Sequence, residues 1–169
     1  MVASEVSGRT GALRLPGVLL GVGLGGFVDG ILLHQVLQWH HMLTSTDSDN
    51  IGVKYYPADT VPGLQMNTLW DGIFHVVCWL AVLSGLGVLY ARVTRDRRRV
   101  WTSRALWGWV LAGWGLFNLV EGVVDHHLLG IHHVRSGPGQ VWWDVAFLVL
   151  GALLVAGGWL LQRGAPHES

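Results

Sequence analysis

Metal-binding side chains are concentrated in the most apolar parts of this chain. It has nine histidines, and eight of them lie within or beside hydrophobic stretches that also carry Asp and Glu. An ionisable residue at the centre of a membrane-spanning helix costs roughly 2.5–3.5 kcal/mol on insertion scales. Neutral imidazole is the commonest metal ligand in proteins, and carboxylates complete sites for iron, copper or zinc. The residue types therefore predict a metal site.

The densest cluster is Asp125-His-His-Leu-Leu-Gly-Ile-His-His, which places four histidines within eight residues and follows Glu121 closely. Metal binding is the favoured interpretation, and a proton relay or a pH-sensing cluster is the alternative. Asp71 and His75 lie four residues apart, on one face of a helix. They are interpreted as two ligands, or as a ligand with its orienting carboxylate, the alternative being an interhelical hydrogen bond.

Composition indicates the environment in which this chemistry takes place. Hydrophobic residues make up 51% of the chain and charged residues 13%, whereas soluble domains average about 25% charged residues. These values predict a membrane protein. The formal net charge of zero excludes a basic surface for nucleic acid, and the single cysteine excludes an internal disulfide framework.

Four apolar stretches are long enough to cross a bilayer, which takes about 20 residues. They cover residues 16–42, 69–91, 104–129 and 141–162, between tails at 1–15 and 163–169. Arginines gather in the connection at 92–104, so the positive-inside rule predicts that this connection and both termini are cytoplasmic. We expect an all-α fold, namely a four-helix transmembrane bundle of a multi-pass membrane protein.

This topology brings acids and histidines from all four helices to the extracytoplasmic leaflet. We predict ten metal ligands, with the choice within each adjacent histidine pair left open: His34, His41, His75, His126, His127, His132, His133, Asp71, Glu121 and Asp125. Six further side chains are predicted to support them: Asp29, His40, Gln38, Asn67, Asn118 and Asp144. Gly130 is expected to interrupt the third helix, so that His132 and His133 fold back over the site.

Glycines in the first stretch predict how the helices pack. The pairs Gly21/Gly25 and Gly26/Gly30 have the small-xxx-small spacing that lets transmembrane helices approach closely.

The supply of ligands exceeds the needs of one tetrahedral ion, so we expect two ions, or one ion whose ligands are supported by many polar neighbours. Iron or copper is expected, with zinc as the alternative. The many carboxylates argue against haem. The favoured function is a di-metal oxidoreductase acting on a hydrophobic substrate, with Glu121 and Asp125 as catalytic residues that bridge or orient. Alternatives are copper or zinc handling, assembly of a respiratory oxidase without turnover, and a zinc-dependent hydrolase. Expected partners are membrane lipid, the substrate, and a second copy or a respiratory-chain protein.

The runs at 25–41 and 118–133, together with Asp71-Gly-Ile-Phe-His75, resemble a bacterial family of small four-helix membrane proteins of unknown function. The resemblance covers nearly all of residues 17–162. It implies a multi-pass protein of the bacterial inner membrane. A loose link of that family to cytochrome oxidase assembly and copper handling keeps copper among the expected metals.

Overall fold

The computed structural model describes residues 2–44, 56–97 and 102–163, and for residues 2–11 it describes the backbone alone. The regular structure of these residues is all helical. Its elements are α1 (Val2–Val28), a first π segment (Asp29–Val36), α2 (Val61–Arg95), α3 (Ser103–Glu121), a second π segment (Gly122–Leu128) and α4 (Gln140–Arg163). Of the predicted tail at 163–169, only Arg163 lies within the described residues.

Several helix limits differ from those predicted. α1 begins at Val2 instead of residue 16, within the expected N-terminal tail, and α2 ends at Arg95 instead of residue 91. Two further differences have a local cause. Helical structure in the first stretch ends at Val36 instead of residue 42, and Gln38 then adopts a left-handed conformation with φ of 51°. The second helix begins at Val61 instead of residue 69. Its start is set by Thr60, whose side-chain oxygen accepts a hydrogen bond from the Gly63 N–H, and by Pro62 in the first turn.

By length and composition, three helical stretches are able to span a membrane: Ala12–Val36, Val61–Arg95 and Gln140–Arg163. α3 is not among these three stretches, and it carries Arg104, Asn118 and Glu121. It packs between α1 and α4, while α1 also packs against α2. Asn118 and Glu121 are buried inside the molecule, whereas Arg104, at the start of α3, is exposed.

Glycines let α1 and α3 approach closely. A Cβ atom on Gly21 would overlap the carbonyl oxygen of Val110, and one on Gly113 would overlap the carbonyl oxygen of Val18. Gly25, one turn beyond Gly21, faces the ring of Trp114. Contacts advance in the same direction along both helices, so α1 and α3 run parallel.

The neighbouring glycines of the first stretch face α2 instead. A Cβ atom on Gly26 would overlap the Sγ of Cys78, and one on Gly30 would lie against the imidazole of His75. The predicted small-residue packing is confirmed, with one glycine stripe of the first stretch for each neighbouring helix.

The two halves of the chain, α1–α2 and α3–α4, repeat one sequence pattern. In each half an acidic residue followed by glycine stands at the junction between an α-helix and a π segment: Asp29-Gly30 and Glu121-Gly122. At identical spacing there follow a single histidine and then an adjacent histidine pair. These are His34 with His40 and His41 in the first half, and His126 with His132 and His133 in the second.

Helix packing repeats in the same way. Gly21 on α1 packs against Val110 on α3, and Gly113 on α3 packs against Val18 on α1. Gly21 is equivalent to Gly113 in the repeat, and Val18 is equivalent to Val110. The halves are therefore related by a pseudo-twofold axis that runs along the parallel helices α1 and α3. Such an axis places equivalent residues at the same end of the molecule.

The glycine contacts predict the effect of a one-carbon change. Gly21→Ala forces α1 and α3 apart, and overpacking of this kind costs about 1–3 kcal/mol. Gly87→Ala on α2 is the matched control, because nothing lies within 4 Å of its added Cβ. We expect thermal unfolding in detergent micelles to show a lowered midpoint for Gly21→Ala and an unchanged or slightly raised one for Gly87→Ala. Equal midpoints for the two variants would contradict this packing.

Candidate metal centre

Six buried side chains gather at the end of the molecule where the two π segments lie. They form two groups of metal-binding residues: Asp29, His34, His40 and Glu121 in the first, and Glu121, His126 and His132 in the second. Within each group, one ligand atom from every residue lies within 4.8 Å of the others. Glu121 belongs to both groups, so two ions held there would share its carboxylate.

The π segments explain how each acid meets its histidine. Residues five apart diverge by about 140° around an α-helix, because each residue turns it by about 100°. A π-helix closes its turn from residue i to i+5, so the same two residues lie on one face. His34 follows Asp29 by five residues, and its Nε2 lies 3.0 Å from Asp29 Oδ2. Glu121 and His126 have the same spacing in the second half.

Asp71 on α2 holds the histidines of the first half in place. The Nδ1–H of His34 donates to its Oδ1 at 3.0 Å, and the Nδ1–H of His41 donates to its Oδ2 at 2.8 Å. The backbone N–H of Met42 also donates to Oδ1, at 2.8 Å. With Nδ1 held by Asp71, the Nε2 of His34 is directed toward Asp29. A carboxylate commonly orients a metal-binding histidine in this way.

Asp144 on α4 makes the equivalent contacts in the second half. The Nδ1–H of His133 donates to its Oδ2 at 2.7 Å, and the N–H of Val134 donates to its Oδ1 at 3.0 Å. The Nδ1 of His126 lies 3.5 Å from Oδ1. Asp71 and Asp144 thus support corresponding residues of the two repeats.

A backbone contact joins the two halves and fixes His40. Its Nδ1–H donates to the carbonyl oxygen of Val134 at 2.9 Å, which leaves the Nε2 of the neutral ring as the atom facing the centre. The His40 ring also stacks on the ring of His132, with centroids 4.5 Å apart. Burial lowers the pKa of His132 well below its ordinary value, and nearby His40 and His126 lower it further. His132 is therefore neutral and able to bind a metal.

Unpartnered polar atoms show what this cluster lacks. Twelve buried side-chain nitrogen and oxygen atoms of the described residues make no hydrogen bond, and nine of them belong to the six residues of the two groups. They include both oxygens of Asp29 and the Nε2 atoms of His34 and His40. Leaving one such atom unsatisfied costs about 1–3 kcal/mol. Imidazole nitrogens and carboxylate oxygens together suit iron, copper or zinc, so the donor set fits a metal.

The structure distributes the ten predicted ligands over three places. Inside the two groups lie His34, His126, His132 and Glu121. Beside them, holding ligands or loop backbone in place, lie Asp71, His41 and His133. Apart from both groups lie His75, Asp125 and His127.

The last three residues differ in their surroundings. His127 is exposed, and its Nδ1–H donates to the carbonyl oxygen of Gly122 at 2.7 Å. His75 is half-buried against Gly30 and Phe27. Asp125 is half-buried on the second π segment, where π winding turns His126 toward the centre.

Six residues were expected to have supporting roles, and two of them are among the grouped ligand atoms. Asp29 and His40 both belong to the first group.

The other four residues lie outside the two groups. Asn67 donates to the carbonyl oxygens of Tyr56 and Gly63, at 2.9 and 3.0 Å, and so fixes the start of α2. Asp144 orients the second half as described above. Asn118 is buried beside a cavity, and Gln38 is exposed where the chain reverses.

α-Helical spacing alone could not bring Asp29 and His40 together with Glu121. Two features of the sequence could have predicted this grouping. They are the spacing of five residues between acid and histidine, and the repetition of this pattern in both halves. The predicted role of Gly130 is confirmed. The second π segment ends at Leu128, Gly130 has φ of 57°, and His132 folds back into the second group.

Over residues 16–165 the chain matches the family described as Predicted membrane protein (DUF2243). The chain belongs to this family. The family resemblance expected from the sequence is thereby confirmed, and the matched residues include the whole of both metal-binding groups. No curated protein and no solved structure matches the chain.

The orienting contacts of Asp71 predict a loss of metal affinity on a nearly isosteric change. Asp71→Asn keeps the shape of the side chain but removes the charge that fixes His34, and loss of such a partner typically costs 10–100-fold in affinity. Titration against a competing chelator measures this loss. Asp59→Asn, at an exposed aspartate before α2, should bind metal as the unaltered protein does. Equal affinities for the two variants would refute the orienting role.

Proposed function

We propose that this protein is an integral membrane metalloprotein that holds two transition-metal ions, iron or copper, and acts as an oxidoreductase on a hydrophobic substrate. The observation that carries the proposal is the position of Glu121 in both metal-binding groups. His34 and His40 would bind one ion, and His126 and His132 the other. Glu121 would bridge the two.

The internal repeat supports two equivalent ions. Asp29 is the counterpart of Glu121, so we assign it the same bridging position from the opposite side. Each ion would then receive two imidazole nitrogens and two carboxylate oxygens from the protein. With four protein ligands, an ion that accommodates more than four would have a position left for a reactant. Iron or copper, when bound, supplies the one-electron and dioxygen chemistry that amino-acid side chains lack.

The remaining residues would control this centre. Asp71 and Asp144 hold the imidazoles in their binding orientation, and complete burial of His34 and His40 excludes bulk water from the ligands. We assign Asp125 the role of proton acceptor beside the centre, in place of the bridging or orienting role expected from the sequence, because it is half-buried and adjacent in sequence to His126.

We further propose a four-helix transmembrane bundle in the bacterial inner membrane, with both termini in the cytoplasm. Three stretches meet the length and hydropathy of a span, and α3 is the counterpart of α1 in the repeat. Basic residues support the orientation. Arg92 bonds to the carbonyl oxygen of Ala12, far along α1 from Asp29, so the arginine-rich connection and the metal centre belong to opposite ends. The centre would thus lie near the extracytoplasmic leaflet.

Adjacent histidines provide a sharp test of the metal centre. Protein purified in detergent from cells supplied with all trace metals should contain two iron or copper ions per chain by elemental analysis. EPR or Mössbauer spectra should show that the ions are coupled. His126→Ala should lose metal, whereas His127→Ala, at the exposed neighbour, should retain both ions.

Other outcomes would decide between the alternatives. Zinc alone would overturn the redox proposal and favour a hydrolase. Rapid, reversible loss of a single copper would favour metal handling, which the complete burial of His34 and His40 opposes. Absence of metal from the native protein, or equal metal loss in His126→Ala and His127→Ala, would overturn the proposed centre itself.

A further inference from the structure

A cavity of about 250 Å³ adjoins the metal centre, between the first π segment, α3 and α4. Asp29 links the two, since it lines the cavity and belongs to the first metal-binding group. Asn118 is the other strongly polar side chain of the wall, which is otherwise apolar and includes Leu32, Phe147 and Leu150. No Lys or Arg is among the lining residues.

The mouth of the cavity faces the lipid side of the proposed bundle. Val28, Leu32 and Leu150 line it and are 41%, 44% and 47% exposed. They belong to two stretches able to span a membrane, Ala12–Val36 and Gln140–Arg163. The medium at the mouth is therefore the hydrocarbon of the bilayer.

The two repeats differ at this place. Gly25 and Ala146 line the cavity, while their counterparts in the other half are Phe117 and Ile73. The Phe117 ring packs against the ring of Phe74, with centroids 6.0 Å apart. At these two positions, small residues leave space on one side of the pseudo-twofold axis, and the equivalent residues on the other side are bulky.

We propose that this cavity receives the unbranched apolar chain of a neutral, membrane-dissolved molecule, which enters between the first π segment and α4. This inference rests on the proposed function and names its substrate class. The wall is apolar apart from Asp29 and Asn118, so a neutral chain enters with its methyl end first, because burying its polar end without a hydrogen bond would cost free energy. The volume exceeds the roughly 150 Å³ that holds benzene and falls below the roughly 300–1,000 Å³ of sites for drug-sized ligands. It therefore fits a segment of hydrocarbon chain.

Photolabelling of the full-length protein in lipid nanodiscs tests this inference. The probe is hexadecanol with a diazirine near its methyl end, and labelled residues are mapped by mass spectrometry. We expect labels on residues 25–33 and 143–150, and their loss when unlabelled hexadecanol is added in excess. Labels that resist competition, or that spread evenly over the lipid-facing helices, would overturn the inference.

Substitutions on α4 provide the matched comparison. Ala146→Trp should fill the cavity and abolish the competed label, whereas Ala152→Trp, at an exposed alanine of the same helix outside the cavity, should keep it. Ala146→Ile serves if the larger residue prevents folding, because isoleucine already stands at the equivalent position 73. Persistence of the competed label in the Ala146 variant would refute binding in the cavity.

Metal content of the same samples separates this inference from the proposed function. Two ions per chain without a competed label would overturn the substrate cavity alone. A competed label on metal-free protein would overturn the metal centre alone.

Discussion

The carboxyl groups of Asp29 and Glu121 lie buried together at one end of the molecule, where a charge is costly unless it is paired. The side chains grouped around them are imidazoles, and His34 and His40, whose Nδ1 atoms are held by Asp71 and by the Val134 carbonyl, direct Nε2 inward. Nine nitrogen and oxygen atoms of these six side chains make no hydrogen bond, and burying polar atoms without hydrogen bonds is costly. Metal cations would satisfy both kinds of ligand together. The surrounding structure can be understood as the support for this arrangement.

The internal repeat explains why the cluster has two similar parts. Close packing of glycine on backbone places α1 beside α3, and the pseudo-twofold axis between them brings Asp29 and Glu121 together. Each repeat then contributes its own histidines and its own orienting aspartate, Asp71 or Asp144. Because the site lies on the axis, each ligand-bearing element is present twice. The number of ligands is therefore doubled without a new type of structural element. The two repeats also differ, for example at Gly25 and its equivalent Phe117, so the two sides of the axis can have different functions.

The sequence was sufficient to predict the helical and membrane character, the small-residue packing of the first helix, the break at Gly130 and the types of side chain in the cluster. It did not predict which of these side chains meet. Strict α-helical spacing placed Glu121 in line with Asp125 and grouped His34 with His41, because a spacing of 3.6 residues per turn was applied throughout. Two π segments alter that phase, and the reversal at Gln38 returns His40 to the cluster. Such local winding depends on contacts between distant segments, so periodicity within one helix cannot reveal it.

X-ray absorption spectroscopy at the edge of the bound metal tests the central claim most directly. Two ions bridged by Asp29 and Glu121 should give nitrogen and oxygen neighbours together with a metal neighbour at about 3.5–4 Å, as in other two-metal sites. The metal neighbour should disappear in His126→Ala, if the remaining ion is still bound by His34 and His40. A spectrum of the unaltered, metal-loaded protein with nitrogen and oxygen neighbours but no metal neighbour would contradict a shared centre.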